Sequence, residues 1–174
     1  MPGIISKASI ARAVKASFDE EVAFVSTLVK APSPNPYTPQ DSPLHTAVEG
    51  EVPTLIHDKL KEIGLAPKYV GASRERMNVV AEWGEKRGRS VLMLNGHMDT
   101  AALDVRQSGG SSSGIVRDGK IYGHGVIDMK ATLAAYIYAV KALHSLDIKR
   151  SGKLLLAVVV DEESGACSKL GTHY

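Results

Sequence analysis

Val91-Leu92-Met93-Leu94-Asn95-Gly96-His97-Met98-Asp99-Thr100 begins as a strand and ends as a candidate site. Four consecutive apolar residues after a charged, Gly-containing turn predict a buried strand, central in a sheet. Side chains alternate along a strand, so His97 and Asp99 point to the same side. A carboxylate so placed can take the proton of one imidazole nitrogen and leave the other nitrogen free for a metal. An isolated His-x-Asp pair reads equally well as a capped strand end with a solvated histidine. The positions of the next carboxylates decide between the two.

Outward from this strand, helices and strands alternate. On the N-terminal side, Ile10, Val14, Phe18, Val22, Val25 and Leu28 or Val29 recur at three- and four-residue steps, predicting one amphipathic helix over roughly 8–30. The prolines of Ala31-Pro32-Ser33-Pro34-Asn35-Pro36 end it. A second helix is expected over roughly 44–64, with Pro53 requiring a kink or a later start and Gly64 closing it. Lys68-Tyr69-Val70 and Asn78 to Trp83 read as strands, the latter turning through Gly84 to Gly88 into the strand at 90–95. On the C-terminal side comes a Gly/Ser-rich loop at 108–114, then a hairpin with Ile115-Val116 and Ile121-Tyr122 about the turn 117–120. Asp128 is expected to open a long helix ending near His144. Lys153 to Val160 is an apolar, β-branched strand running straight into Asp161-Glu162-Glu163. The pattern predicts an α/β layer with a mostly parallel central sheet flanked by helices.

Composition narrows the function classes. Lys+Arg 21 against Asp+Glu 19 leaves +2, too balanced for nucleic acid or an anionic membrane as main partner. Cys167 is the single cysteine, which excludes a disulfide framework and an all-cysteine zinc site. No apolar run approaches a membrane span, so a soluble, cytoplasmic protein is expected.

Three clusters now stand at the same kind of place: His97 and Asp99 after one strand, Asp128 at a helix start, and Glu162-Glu163 after another strand. In open α/β sheets the site lies beyond the carboxyl ends of the strands, so the clusters are expected at one rim. One histidine with several carboxylates is an open, oxygen-rich set suited to catalytic zinc or a related divalent ion. Asp128 could equally serve as a helix N-cap. Gly114 to Lys120 fits most of a phosphate-binding loop, but Ile121 stands where Ser or Thr is needed, within a hairpin.

The ordered motifs Gly96-His97-Met98-Asp99-Thr100, then Asp118 to Gly125 leading to Asp128-Met129-Lys130, then Asp161-Glu162-Glu163-Ser164-Gly165, resemble the dinuclear zinc amidohydrolase/peptidase superfamily. That group includes acetylornithine deacetylase, succinyl-diaminopimelate desuccinylase, aminoacylase and the glutamate carboxypeptidases. His97 lies 31 positions before Asp128, and Asp128 35 before Glu163. The resemblance implies that His97, Asp128 and Glu163 are metal ligands, Asp128 bridging two ions. It implies that Asp99 orients His97 and that Glu162 is the general base. Two zinc ions are implied, with cobalt or manganese as possible substitutes. The implied substrate is a small N-acyl amino acid or peptide, the implied partner a second copy in a full-length homodimer, with neither nucleic acid nor membrane involved.

The sequence departs from the pattern by ending eleven positions beyond Glu163, before the two further ligands and the dimerisation domain that the resemblance leads one to expect. Residues 1–174 therefore read as the N-terminal portion of such a catalytic domain, with later covering strands absent and an exposed sheet edge. Two functional expectations follow. One is zinc-dependent amide or peptide hydrolysis. The other is a truncated, catalytically silent chain that binds metal weakly or associates with a full-length relative.

Overall fold

The computed structural model describes residues 5–36, 50–71, 76–84, 90–101, 113–146, 148 and 152–165. The expected helix over 8–30 is two helices, α1 (Lys7–Ala16) and α2 (Phe18–Lys30), parted at Ser17. Ser6 caps α1, its Oγ accepting the Ser9 N–H at 3.1 Å. The periodicity misled in one respect: α1 buries no residue, and Ile10, Val14 and Phe18 are exposed, whereas α2 buries Phe24, Val25, Leu28 and Val29. The third helix, α3 (Val52–Glu62), takes the later start that Pro53 demands, since a proline in the first turn forfeits no intrahelical hydrogen bond. The expected residues 44–49 lie outside those described. Gly64 follows the last turn at φ +89°, the left-handed position that closes a helix. Glu20 ties α2 to its neighbours: it accepts from Lys59 of α3 at 3.3 Å, from Tyr138 at 2.9 Å, and from Lys141. Those partners, Lys141 first, hold its carboxyl down to about 2 against some burial.

The strands are β1 (Lys68–Val70), β2 (Asn78–Gly84), β3 (Val91–His97), the hairpin β4 (Ile115–Arg117) with β5 (Lys120–Tyr122), and β6 (Lys153–Val159). The main sheet has the order β1-β2-β6-β3. The class is α/β, but the sheet is mixed rather than mostly parallel: β1 with β2 and β2 with β6 are antiparallel, and only β3 with β6 is parallel. Consequently β6, not β3, is the central strand. β3 is an edge, and Val91, Leu92 and Met93 are 61%, 60% and 53% exposed, so the expectation of a buried central strand fails there while that of an exposed edge holds. Burial returns abruptly at its end, from Gly96 through Thr100.

The last helix, α4 (Ala131–Ser145), follows a turn over Val126–Lys130 and packs Leu133, Ala134, Ile137, Tyr138 and Val140 into the core with α2, α3 and β6. Each fully buried aliphatic side chain stabilises the fold by about 1.5–3 kcal/mol relative to exposure, so β6 and α4 anchor the sheet and the outer half of β3 adds little. No described helix is long and apolar enough to cross a membrane.

Gly96 is a point of close approach between this core and the motif segments. A Cβ there would stand 2.7 Å from Met129 Cε and 2.8 Å from Leu133 Cδ2. Gly96→Ala is expected to lower unfolding free energy by about 1–3 kcal/mol, as overpacking does, measured by denaturant unfolding followed by circular dichroism. Unchanged stability would mean that β3 and α4 are not in contact as described.

Candidate metal centre

The register explains why distant motifs meet. His97 lies opposite Val159 in the parallel β3–β6 pair, so the residues beyond each strand leave the sheet side by side. Met98 N–H donates to the Val159 carbonyl at 2.8 Å, extending that contact. Asp99 is fully buried. Its carboxylate accepts the Asn35 side-chain N–H at 2.7 Å, the Glu162 backbone N–H at 3.3 Å and the Glu163 backbone N–H at 3.1 Å. Burial opposes the charged form of Asp99, but His97, Asn35 and the Glu163 amide outweigh it and lower the pKa.

The His97 ring is held at both nitrogens. Nδ1 donates to the Asp99 backbone carbonyl at 2.9 Å, with the Asp99 carboxylate 3.6 Å away at ion-pair range. Nε2 faces the Asp128 carboxylate at 3.0 Å and Glu162 Oε2 at 3.7 Å. Burial alone would depress the imidazole pKa; the Asp99 carboxylate and carbonyl and the charge of Glu162 push it up to about 9. Glu163 moves up from the usual carboxylate range, chiefly through burial and then through the nearby Asp128 charge.

Asp128 is not the opening residue of α4. It stands three positions before Ala131, with φ −121° and ψ 94°, and Lys130 occupies the N-cap. The N-cap reading is therefore wrong for a geometric reason: the backbone at Asp128 and Met129 is not helical. What this turn achieves is to aim the carboxylate back at His97 and leave it 69% exposed. Ligand atoms of His97, Asp128 and Glu163 all lie within 4.8 Å of one another, a group of donors from three separate segments. This donor set, one imidazole with its far nitrogen fixed as a donor plus two carboxylates, suits a divalent cation of the zinc type.

Several further residues complete the site: Asp161 and Lys130, which stand in the motifs with no role read for them, and Asn35 and Arg76, which carried no signal in the sequence. Asp161 is fully buried and adopts φ +70°, the left-handed region that Asp and Asn enter more readily than most residues. Its Oδ1 accepts from Ser164 Oγ at 2.6 Å, from Asn35 Nδ2 at 3.4 Å and from Arg76 at 3.5 Å. The buried Lys130 donates to the Leu28 and Ala31 carbonyls at 2.9 and 2.7 Å, capping the end of α2, and burial brings its amine down to about 8. His124, between Gly123 and Gly125, is no member of the cluster; its Nε2 bonds to the Ala101 carbonyl at 2.8 Å. His173, Cys167 and most of the Gly/Ser loop lie outside the described residues.

A buried histidine and several carboxylates thus stand together beyond the ends of two parallel strands of an α/β fold. Residues 93–173 match peptidase family M20/M25/M40. N-formyl-4-amino-5-aminomethyl-2-methylpyrimidine deformylase of Halalkalibacterium halodurans is 33% identical over 84% of this chain and 34% of its own length. Succinyl-diaminopimelate desuccinylase of Polynucleobacter necessarius is 28% identical over 74% of this chain and 37% of its own. Among solved structures, the dipeptidase Dug1p of Saccharomyces cerevisiae superposes with a TM-score of 0.75 at 14% identity, over 92% of this chain and 36% of that one. The chain belongs to the zinc amidohydrolase/peptidase superfamily, its match to the M20/M25/M40 family being confined to residues 93–173, and it spans about a third of the length of these relatives.

With His97 titrating near 9, a cation that takes Nε2 at neutral pH must displace a proton. Apparent zinc affinity is expected to rise about tenfold per pH unit between pH 6 and 8, with about one proton released per ion, read by calorimetry in buffers of different ionisation enthalpy. In the metal-free chain the raised pKa stabilises the fold below the unfolded value of 6.5, and this contribution is lost as pH rises through about 9. A pH-independent zinc affinity would remove His97 from the ligand set.

Proposed function

We propose that the chain carries a metal-dependent hydrolytic site for amide bonds, with His97, Asp128 and Glu163 holding the cation and Glu162 as general base. The observation that carries this reading is the convergence of three donors within 4.8 Å around an imidazole whose other nitrogen is already engaged. A bound divalent cation supplies polarisation of an amide carbonyl and a lowered pKa for water. Asp128, in contact with Nε2 and largely exposed, would be the carboxylate that two ions share if two were bound. Glu162 is 53% exposed, with Oε2 3.7 Å from Nε2, so it can take a proton from water and return it to the leaving nitrogen. Asp99 reaches no substrate; buried, it holds His97 and the Glu162-Glu163 backbone.

The two relatives named above are a deformylase and a desuccinylase, both removing an acyl group, which supports small N-acylated amines, amino acids or peptides as the substrate class. A second copy of the chain as partner and a cytoplasmic location belong to the same proposal. The chain spans about a third of the length of these relatives.

Zinc titration and hydrolysis of an N-acyl amino acid panel, on the chain and on two variants, separate the possibilities. Glu162→Gln should keep zinc and lose turnover by about 100-fold or more, the range for removal of a general base, while His97→Ala should lose both. Turnover that survives Glu162→Gln would refute the base assignment; zinc binding without turnover in the unaltered chain would establish the silent alternative.

A further inference from the structure

The strap that leaves α2, residues 31–35, touches all three motif segments. Lys130 holds its start through the Ala31 carbonyl. Ser33 Oγ donates to the Met98 carbonyl at 2.8 Å, Thr100 N–H donates to the Ser33 carbonyl at 2.9 Å, and Asn35 N–H donates to the Thr100 carbonyl at 2.8 Å. These bonds fix the strap beside the end of β3 without using the Asn35 side chain.

That side chain sits, 3% exposed, between the two carboxylates that are themselves fully buried. Its Nδ2 is 2.7 Å from Asp99 Oδ2 and 3.4 Å from Asp161 Oδ1. Asp99 belongs to the His97 half of the cluster, and Asp161 begins the turn that carries Glu162 and Glu163. A primary amide has two N–H groups and no charge, so it can satisfy two buried anions without adding a third. Arg76 contributes positive charge to the same Asp161 oxygen at 3.5 Å, the pair being 5% and 0% exposed.

We propose that Asn35 is a positioning residue that fastens the His97-Asp99 half of the metal cluster to the Asp161-Glu162-Glu163 half. The inference rests on the metal-site reading above. Without this amide, Asp99 and Asp161 lose a donor that they share, and Asp99 keeps its bonds from the Glu162 and Glu163 amides. Since the strap is held by its backbone and by Ser33, removing the Asn35 side chain leaves the fold in place.

Two measurements on the whole chain test this. On the metal-free, isotope-labelled protein, amide hydrogen exchange at Glu162 and Glu163 reports their bonds to Asp99. Asn35→Ala should speed that exchange roughly tenfold or more, by local opening, while Ser33→Ala, which removes a strap bond but keeps the amide, should not. Zinc titration should then show a loss of about 10–100-fold for Asn35→Ala, the range for outer partners of metal ligands, and little for Ser33→Ala. Asn35→Ser retains one short donor, should give an intermediate value, and keeps the test decisive if the alanine variant does not fold. Unchanged exchange, unchanged zinc affinity, or equal losses in Asn35→Ala and Ser33→Ala would overturn the positioning role. Failure of the unaltered chain to bind zinc would sink the metal reading instead, and the exchange comparison would still decide whether Asn35 joins the two halves.

Discussion

A carboxylate cut off from water must find hydrogen-bond donors on every side, and Asp99 finds them in segments far apart in the chain. Asn35 comes from the strap after α2 and the Glu162 and Glu163 amides from the turn after β6, with the His97 ring of its own strand 3.6 Å away at ion-pair range. Leaving such a group unpaired costs several kcal/mol, so the folded state keeps all of these segments in one place or loses the energy of burying Asp99. Two of the three candidate metal donors, His97 and Glu163, are carried by the same segments, while Asp128 comes from the turn before α4. The proximity of His97 and Glu163 follows from satisfying this buried anion.

Charge completes the same logic. Two fully buried carboxylates, Asp99 and Asp161, are opposed by the Arg76 guanidinium and by the His97 ring, which its surroundings hold in the protonated form to about pH 9. Asp128, Glu162 and Glu163 then add negative charge on the solvent side of that ring. A cation taken up at Nε2 replaces the imidazole proton as the positive charge next to these acids, so the electrostatic balance of the pocket survives the exchange. The proton on His97 is in this sense a placeholder, and its raised pKa measures how strongly the pocket attracts positive charge.

The part of this arrangement legible in the sequence is the part encoded locally. His97 and Asp99 share a side because strand period is two, and Glu162-Glu163 follow a strand that seven consecutive apolar residues, Leu154 to Val160, announce. The mixed sheet was not legible, because periodicity carries no strand direction: β2 and β3 are successive in the chain, yet β6 lies between them, antiparallel to one and parallel to the other. That topology matters to the site. The reversed β2 starts at the rim where β3 and β6 end, and so delivers Arg76 beneath Asp161 and Asn78 to the Val160 N–H at 2.9 Å. Asn35 in a proline-rich stretch and Arg76 before a strand read as ordinary loop polar residues, since their partners lie 64 and 85 positions away. Asp128 was misread as a cap because Asp near a helix start is common, and only backbone angles reveal that the helix begins later.

The same contrast divides β3 itself. Its first three residues are more than half exposed along an edge, and apolar packing does little to fix them. From Gly96 onward every residue to Thr100 is buried, against Met129 and Leu133 on one side and the strap on the other. A strand anchored mainly at one end transmits little restraint along its length, so the order of His97 must come from the groups at that end. Those groups are mostly polar: the Ser33 and Asn35 bonds, the Asp99 carbonyl on Nδ1, and the Asp161 turn with its Arg76 and Ser164 contacts. Hydrophobic packing of β6 and α4 sets where the rim is; the buried polar network sets how sharply the donors on it are aimed. Polar networks of this kind specify one geometry when fully satisfied and are costly when broken. Site geometry in this chain is therefore coupled more tightly to its buried carboxylates than to the extent of its apolar core.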